Sequence, residues 1–246
     1  MDIPILYEDE NIVAINKPPG LIVHSDGRTE EPSVADWVIE QYPDMANVGE
    51  PWVSPQGQTI SRPGIVHRLD RVTSGVLLLA RNHEAYVFLK DQFQNRTLEK
   101  EYRAFVYGKP KLTHGVIEKE IVRIRSIPPR WGVKRASEEK KHRIAITEWN
   151  LVDTGVDEAT GEAVSFVAMF PKTGRTHQLR VHFKDLGFPI VCDPLYAPKK
   201  ACVLGFSRTA LHAFRISITL QSGEKQSIEA PLPEDFKKAK NLLNIA

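Results

Sequence analysis

The sequence predicts an α+β fold in which a large mixed, mainly antiparallel sheet is flanked by a few helices. Strand-like segments mostly follow one another directly, whereas a doubly wound sheet would alternate strand and helix. No internal repeat, linker or low-complexity tract interrupts the chain. Its 246 residues, 41% hydrophobic and 26% charged, suffice to bury a sizeable core, so residues 1–246 are read as a single domain.

Residues 5–7 and 12–17 read as short strands around the acidic turn Glu8-Asp9-Glu10-Asn11, and Pro18-Pro19-Gly20 ends the second. Ser33 is the expected N-cap of a helix that reaches Tyr42, where Pro43 stops it. Residues 46–63 carry Gly, Pro, Ser and Gln with little periodicity and read as a long surface loop, of a length that is often functional. The apolar run 76–80 suits a buried strand, and Asn82 caps a helix in which Ala85, Phe88, Leu89 and Phe93 share one face. Tyr102, Ala104 and Val106 alternate with Arg103, Phe105 and Tyr107, which is strand periodicity. Further strands are predicted at 116–124, 143–152, 164–170 and 211–220. Residues 176–186 read as a helix with Leu179, Phe183 and Leu186 inward and Gly187 as its stop. Phe236, Ala239 and Leu243 mark a last amphipathic helix.

The start of the chain has no basic region followed by an apolar stretch, and nowhere do about 18 apolar residues run together. A cytoplasmic protein without a membrane partner is expected. Cys192 and Cys202 lack C-x-x-C spacing and are too few for a disulfide framework, so they are read as two buried or idle thiols. A net charge of +2 and a pI near 8.4 permit an RNA partner without arguing for one. Nothing resembles a coiled coil, and a monomer is expected.

Two other chemistries fail on inspection. Lys17 followed by His67-Arg68-Leu69-Asp70 has the look of a protein kinase, but no G-x-G-x-x-G precedes the lysine and no D-F-G appears. His177 and His182 lie five apart, which on a helix turns the rings roughly 140° from each other, and there is no H-E-x-x-H pattern. They read as structural or RNA-contacting histidines, and no metal is expected.

The run His67-Arg68-Leu69-Asp70-Arg71-Val72-Thr73-Ser74-Gly75 lies between a Gly- and Pro-rich loop and the apolar strand. On the residues alone Asp70, flanked by Arg68 and Arg71, is either a positioned acid or a surface ion pair. The order of several patterns adds to this. The same run is followed by Lys100-Glu101-Tyr102-Arg103-Ala104, and then by Thr173-Gly174-Arg175-Thr176-His177-Gln178-Leu179-Arg180-Val181-His182. Asn16-Lys17-Pro18-Pro19-Gly20 precedes them, and Asp193-Pro194-Leu195-Tyr196 follows. Together, over nearly the whole chain, they resemble the RluA-type pseudouridine synthase family.

The resemblance implies the pseudouridine synthase fold and a cofactor-free reaction on rRNA or tRNA. In that reaction a uridine loses its N1–C1′ bond, the uracil turns, and C5 bonds to C1′. It makes Asp70 the essential carboxylate, acting as nucleophile or as base toward the sugar. It makes Arg180 the cation that pairs with that aspartate, a task suited to a two-pronged guanidinium. It also makes Tyr102, otherwise a core aromatic on a strand, the ring against the uracil. Arg68 and His67 would contact or replace a flipped nucleotide, with Arg71, Thr73, Arg175 and His177 near the RNA. Relatives often carry an N-terminal S4-like module, expected to be absent here. Val72 departs from the acidic or polar residue many relatives have at that position, which bears on RNA or loop contacts.

Arg125, Arg130, Lys134, Arg135, Lys140, Lys141 and Arg143 surround Pro128-Pro129 and Trp131 and suit either RNA backbone or a solvated hairpin tip. Two competing functions are a non-catalytic RNA-binding protein or RNA-folding chaperone on the same fold, and a hydrolase that releases free uracil.

Overall fold

The structure, a computed structural model, describes residues 1–27, 31–54, 57–124, 126, 130–134 and 143–245. The chain forms two compact units, residues 1–99 with 213–231 and residues 100–212 with 232–246.

In the first unit β1 (Ile5–Glu8) pairs with β2 (Ile12–Lys17) around a turn in which the Asp9 carboxylate accepts the Asn11 and Ile12 amides. After β2, α1 (Val34–Gln41) opens with a capping box, Ser33 and Asp36 each accepting the other's amide. The segment expected to be a long loop is not structureless. It begins at the end of a 3₁₀ turn (Pro43–Asn47) and holds a small hairpin, β3 (Trp52–Val53) with β4 (Thr59–Ile60). Two-residue strands leave too little alternation to register as strands in a sequence.

β5 (Ser74–Ala80) is buried at every position and pairs with β2 on one edge and with β11 (Leu211–Thr219) on the other. Burial on both faces explains its unbroken apolar run. α2 (His83–Asn95) starts at the Asn82 cap and lays Ala85 and Leu89 against Val76, Leu78 and Ala80. Its buried face also takes Tyr86 and Gln92, while Phe88 is only half-buried. The Gln92 amide donates to the Thr219 carbonyl and accepts the Thr219 N–H, so a polar residue earns a core position by closing the end of β11. β12 (Lys225–Glu229) completes the unit by pairing with β11.

The second unit is an antiparallel array in the order β6 (Glu99–Tyr107), β10 (Ala163–Pro171), β9 (Arg143–Val156), β7 (His114–Ile124), β8 (Arg130–Val133). β9 alternates cleanly, with Ala145, Thr147 and Trp149 buried and Ile144 and Val152 exposed. α3 (Gln178–Asp185) packs on the buried face, where Phe183 meets the Trp149 ring edge-on at 6.0 Å. α4 (Glu234–Leu242) brings Phe236 and Ala239 into the same core. The pairs β1–β2, β2–β5, β3–β4, β6–β10, β10–β9, β9–β7, β7–β8 and β11–β12 are antiparallel, and the isolated bridge of Ile22 to Ser33 is parallel. The α+β class holds.

Three expectations need correction. α3 begins at Gln178, not Thr176, because His177 is left-handed (φ +55°) and the Gln178 side chain accepts the Arg175 amide, holding the preceding loop out of the helix. Leu186 caps that helix and is exposed, not inward. The cysteines are not idle thiols: Cys192 and Cys202 form a disulfide, with Cα atoms 4.5 Å apart. The chain doubles back there because the Asp193 carboxylate accepts the Leu195 and Tyr196 amides and its carbonyl accepts that of Ala197. Closing a loop of that length is worth about 3 kcal/mol in the chain-entropy model. Alkylation of the unfolded protein should find no thiol before reduction and two after it. Reduction should lower the melting temperature by several degrees, and an unchanged melting curve would show the bridge to be dispensable.

Candidate active site

Asp70 lies on a loop that is fixed at both ends. Upstream, the Ala80 amide donates to the Gly64 carbonyl and Ile65 bridges to Leu79, so the chain runs along the edge of β5. The space at Gly64 is closed: a Cβ there would stand 2.4 Å from the Ala80 carbonyl oxygen, and its φ is +65°. His67 continues the edge, its Nε2 accepting the Leu78 amide at 2.9 Å while the ring stacks on Phe93 at 4.6 Å. Downstream, Asp70 and Thr73 close a turn, the Thr73 amide donating to the Asp70 carbonyl at 3.0 Å, and the buried Thr73 leads into β5.

A lysine buttresses that turn. Lys17 is fully buried, and its ammonium donates to the carbonyls of Pro18, Leu21 and Arg71. The Gly20 amide reaches the same Arg71 carbonyl at 2.8 Å. The Asn16-Lys17-Pro18-Pro19-Gly20 segment is thereby tied to the residue that follows Asp70. The Arg71 side chain is turned to a two-pronged pair with Glu31, and Arg68 is exposed.

The second unit carries Tyr102, Arg175, His177 and Arg180. Tyr102 stands opposite Met169 on β6, half-buried against the core. Gln178 knots the loop before α3, accepting from the Thr173 hydroxyl and the Arg175 amide and donating to the Ile146 carbonyl and the Thr147 hydroxyl. Thr173 and Arg175 are thereby fixed against β9. Arg180 is 4% exposed and gives Nε and Nη2 to the two oxygens of the fully buried Asp193, at 2.7 and 2.9 Å. The Tyr196 ring lies 5.1 Å from the same guanidinium, and the Tyr196 hydroxyl bonds to His177 Nδ1 at 2.9 Å and accepts the Trp131 amide. Of the basic segment, Arg130, Trp131, Lys134 and Arg143 lie on or beside β8 and β9, while Arg125, Pro128, Pro129, Arg135, Lys140 and Lys141 fall outside the described residues.

His182 is buried beside Thr147, its Nδ1 2.9 Å from that hydroxyl. Burial, with Lys119 adding to it, pushes its pKa from 6.5 down to about 4. Between these values the unfolded chain takes up a proton that the folded one refuses, so stability falls as the pH is lowered through this window. Urea unfolding at pH 7 and pH 5 should therefore show about 2 kcal/mol less pH-dependent loss in His182→Gln than in the parent. Equal losses in the two would exclude His182 as the cause.

The family model described as RNA pseudouridylate synthase matches residues 11–185, a span that includes Lys17, Asp70, Tyr102 and Arg180. The chain belongs to the RNA pseudouridylate synthase family. The family is one of isomerases. An uncharacterized RNA pseudouridine synthase of Synechocystis is 35% identical over 235 residues, covering 95% of this chain and 67% of the relative. The ribosomal large subunit pseudouridine synthase D of Neisseria meningitidis serogroup B is 32% identical, covering 100% of this chain and 62% of the relative. The chain thus spans roughly two thirds of the length of these relatives. The solved structure of human RNA pseudouridylate synthase domain containing 1 superposes with a TM-score of 0.72 at 24% identity, over 94% of this chain and 84% of that one, and shows the same fold. None of the helices among the described residues is long and apolar enough to cross a membrane.

For a pseudouridine synthase chain two groups stand out that the sequence did not mark as functional. Asp193 and Lys17 both lie in segments that carry the family resemblance, yet neither short pattern says what the side chain holds. A buried lysine meeting three carbonyls and a buried aspartate clasping an arginine are long-range pairings, visible only once the chain is folded.

Proposed function

We propose that this chain isomerises specific uridines in rRNA or tRNA to pseudouridine, with Asp70 as the essential carboxylate. The observation that carries the reading is the Asp70 turn, held by Lys17 and Gly20 and entering a fully buried strand, in a chain of this family. A carboxylate carried on a backbone turn held this firmly needs little reorganisation of the chain when it meets the sugar of a bound nucleotide. Breaking N1–C1′ and joining C5 to C1′ moves the C5 proton away and returns one to N1. Atoms and electrons balance without a cofactor or metal.

In this reading Arg180 keeps the Asp70 carboxylate charged, and Tyr102 packs on the uracil and takes the C5 proton. Asp70 acts on the sugar as nucleophile or as base. Arg68 fills the place of the flipped nucleotide, with Thr73, Arg71, Arg175 and His177 ordering the loops or meeting phosphate. His67, bonded to Leu78 and stacked on Phe93, braces the Asp70 loop. The two units are proposed to act together as one monomeric cytoplasmic catalytic domain.

The test is tritium release from bulk cellular RNA labelled at uridine C5, by purified protein with no metal added, followed by digestion. Release with recovery of pseudouridine supports the reading. Free uracil would point to a hydrolase, and no release by a folded, RNA-binding protein would point to a non-catalytic role on the same fold.

A further inference from the structure

The hairpin of β3 and β4 forms a sheet of its own and carries a basic and aromatic cluster that the proposed reaction does not use. Two strands this short are marginal alone, so contacts outside the hairpin must hold it. One is the preceding loop: a Cβ on Gly27 would stand 2.8 Å from Gln58 Oε1 and 3.3 Å from the end of Ile60. Another is Arg62, whose guanidinium lies over the Trp52 ring at 4.9 Å. The His24 ring stands 6.5 Å from the same ring, tilted at 47°.

This cluster is positively charged and poorly neutralised. Burial pulls the Arg62 pKa below its ordinary value, and the neighbouring Arg68 guanidinium pulls it further. Burial also lowers His24, and both arginines act in the same direction, against Asp26 and the Ser25 carbonyl. Arg62 Nε is buried with no hydrogen-bond partner among the described residues, and none of them forms an ion pair with Arg62 or Arg68. Two guanidiniums within electrostatic reach of each other, one of them over an indole ring, cost stability unless an anion comes to meet the charge. A guanidinium held over a ring keeps its fork of N–H donors available, which suits a tetrahedral oxyanion with several acceptors.

We propose that Arg62, braced on Trp52, binds a backbone phosphate of the RNA strand next to the reacting uridine. The placement follows from the chain: Arg68 precedes Asp70 by two residues, and Arg62 opens the segment that runs along β5 to that loop. This inference rests on the reading of the chain as an enzyme that acts on RNA.

The experiment measures binding of fluorescein-labelled oligouridylate across a salt series to the parent protein, Arg62→Gln and Lys237→Gln. The last removes one charge from α4, where Lys237 pairs with Glu234 on the surface. Arg62→Gln should bind about tenfold more weakly and lower the slope of log affinity against log salt by about one, with Lys237→Gln unchanged. Affinity and slope equal to the parent's in Arg62→Gln would overturn the proposal. Should that variant fail to fold, Trp52→Leu, on the half-exposed hairpin, should weaken binding several-fold by releasing the guanidinium, and unaltered binding would overturn the proposal equally. Tritium release followed in parallel should show a raised KM with kcat retained in Arg62→Gln. If no protein releases tritium but the salt slopes differ as stated, the phosphate site stands and the isomerase reading falls.

Discussion

Replacing Asp70 with Asn should lower pseudouridine formation by about 10³-fold or more while leaving melting temperature and RNA affinity near those of the parent protein. The amide keeps the size and shape of the side chain, so the turn to Thr73 and the Lys17 clasp, which use backbone carbonyls, survive the change. What disappears is the negative charge needed to attack the sugar or accept its proton. Single-turnover tritium release checks this directly. Near-parent rates in a folded Asp70→Asn protein would remove the carboxylate from the chemistry.

Asp193→Ala should be the most destabilising single change among the polar residues of the second unit. Arg180 and Asp193 are both buried and share a two-pronged bond, and the same carboxylate accepts two amides that turn the chain toward Cys202. Truncation leaves a buried guanidinium without this partner and two amides without their acceptor. Breaking a buried pair in this way costs about 3–5 kcal/mol, or about 10 °C in melting temperature for a domain of this size. Adding Arg180→Met to Asp193→Ala should recover part of the loss, since the stranded charge goes too, and a double-mutant cycle reads the coupling. Additive losses would mean that the pair is not coupled. Arg180→Lys should stay folded but lose activity severely, because an ammonium cannot reproduce the flat fork that grips a carboxylate. Near-normal turnover in that variant would make Arg180 purely structural.

Much of the architecture was legible in the sequence because its signals are local. The caps Ser33 and Asn82, the buried run of β5 and the alternation along β9 each depend on residues within a few positions of one another. The signals failed where a fold-level contact overrode them. The short hairpin is held by Arg62 and the Gly27 loop, the start of α3 is set by the Gln178 knot, and Gln92 is buried because β11 ends beside it.

The same division runs through the candidate site. The order of motifs around Asp70, Tyr102 and Arg180 was enough to point to the family, because several short patterns in one sequence order do not arise by composition alone. Folding decided the partners. Arg180 lies thirteen residues from the Asp193 it clasps, Lys17 reaches the carbonyl of Arg71 fifty-four residues away, and Trp52 meets Arg62 only because the hairpin turns back on itself. A sequence states which charges and rings are present. Which of them meet depends on the packing of strands and helices, since a buried charge is stable only where the fold supplies its counterpart.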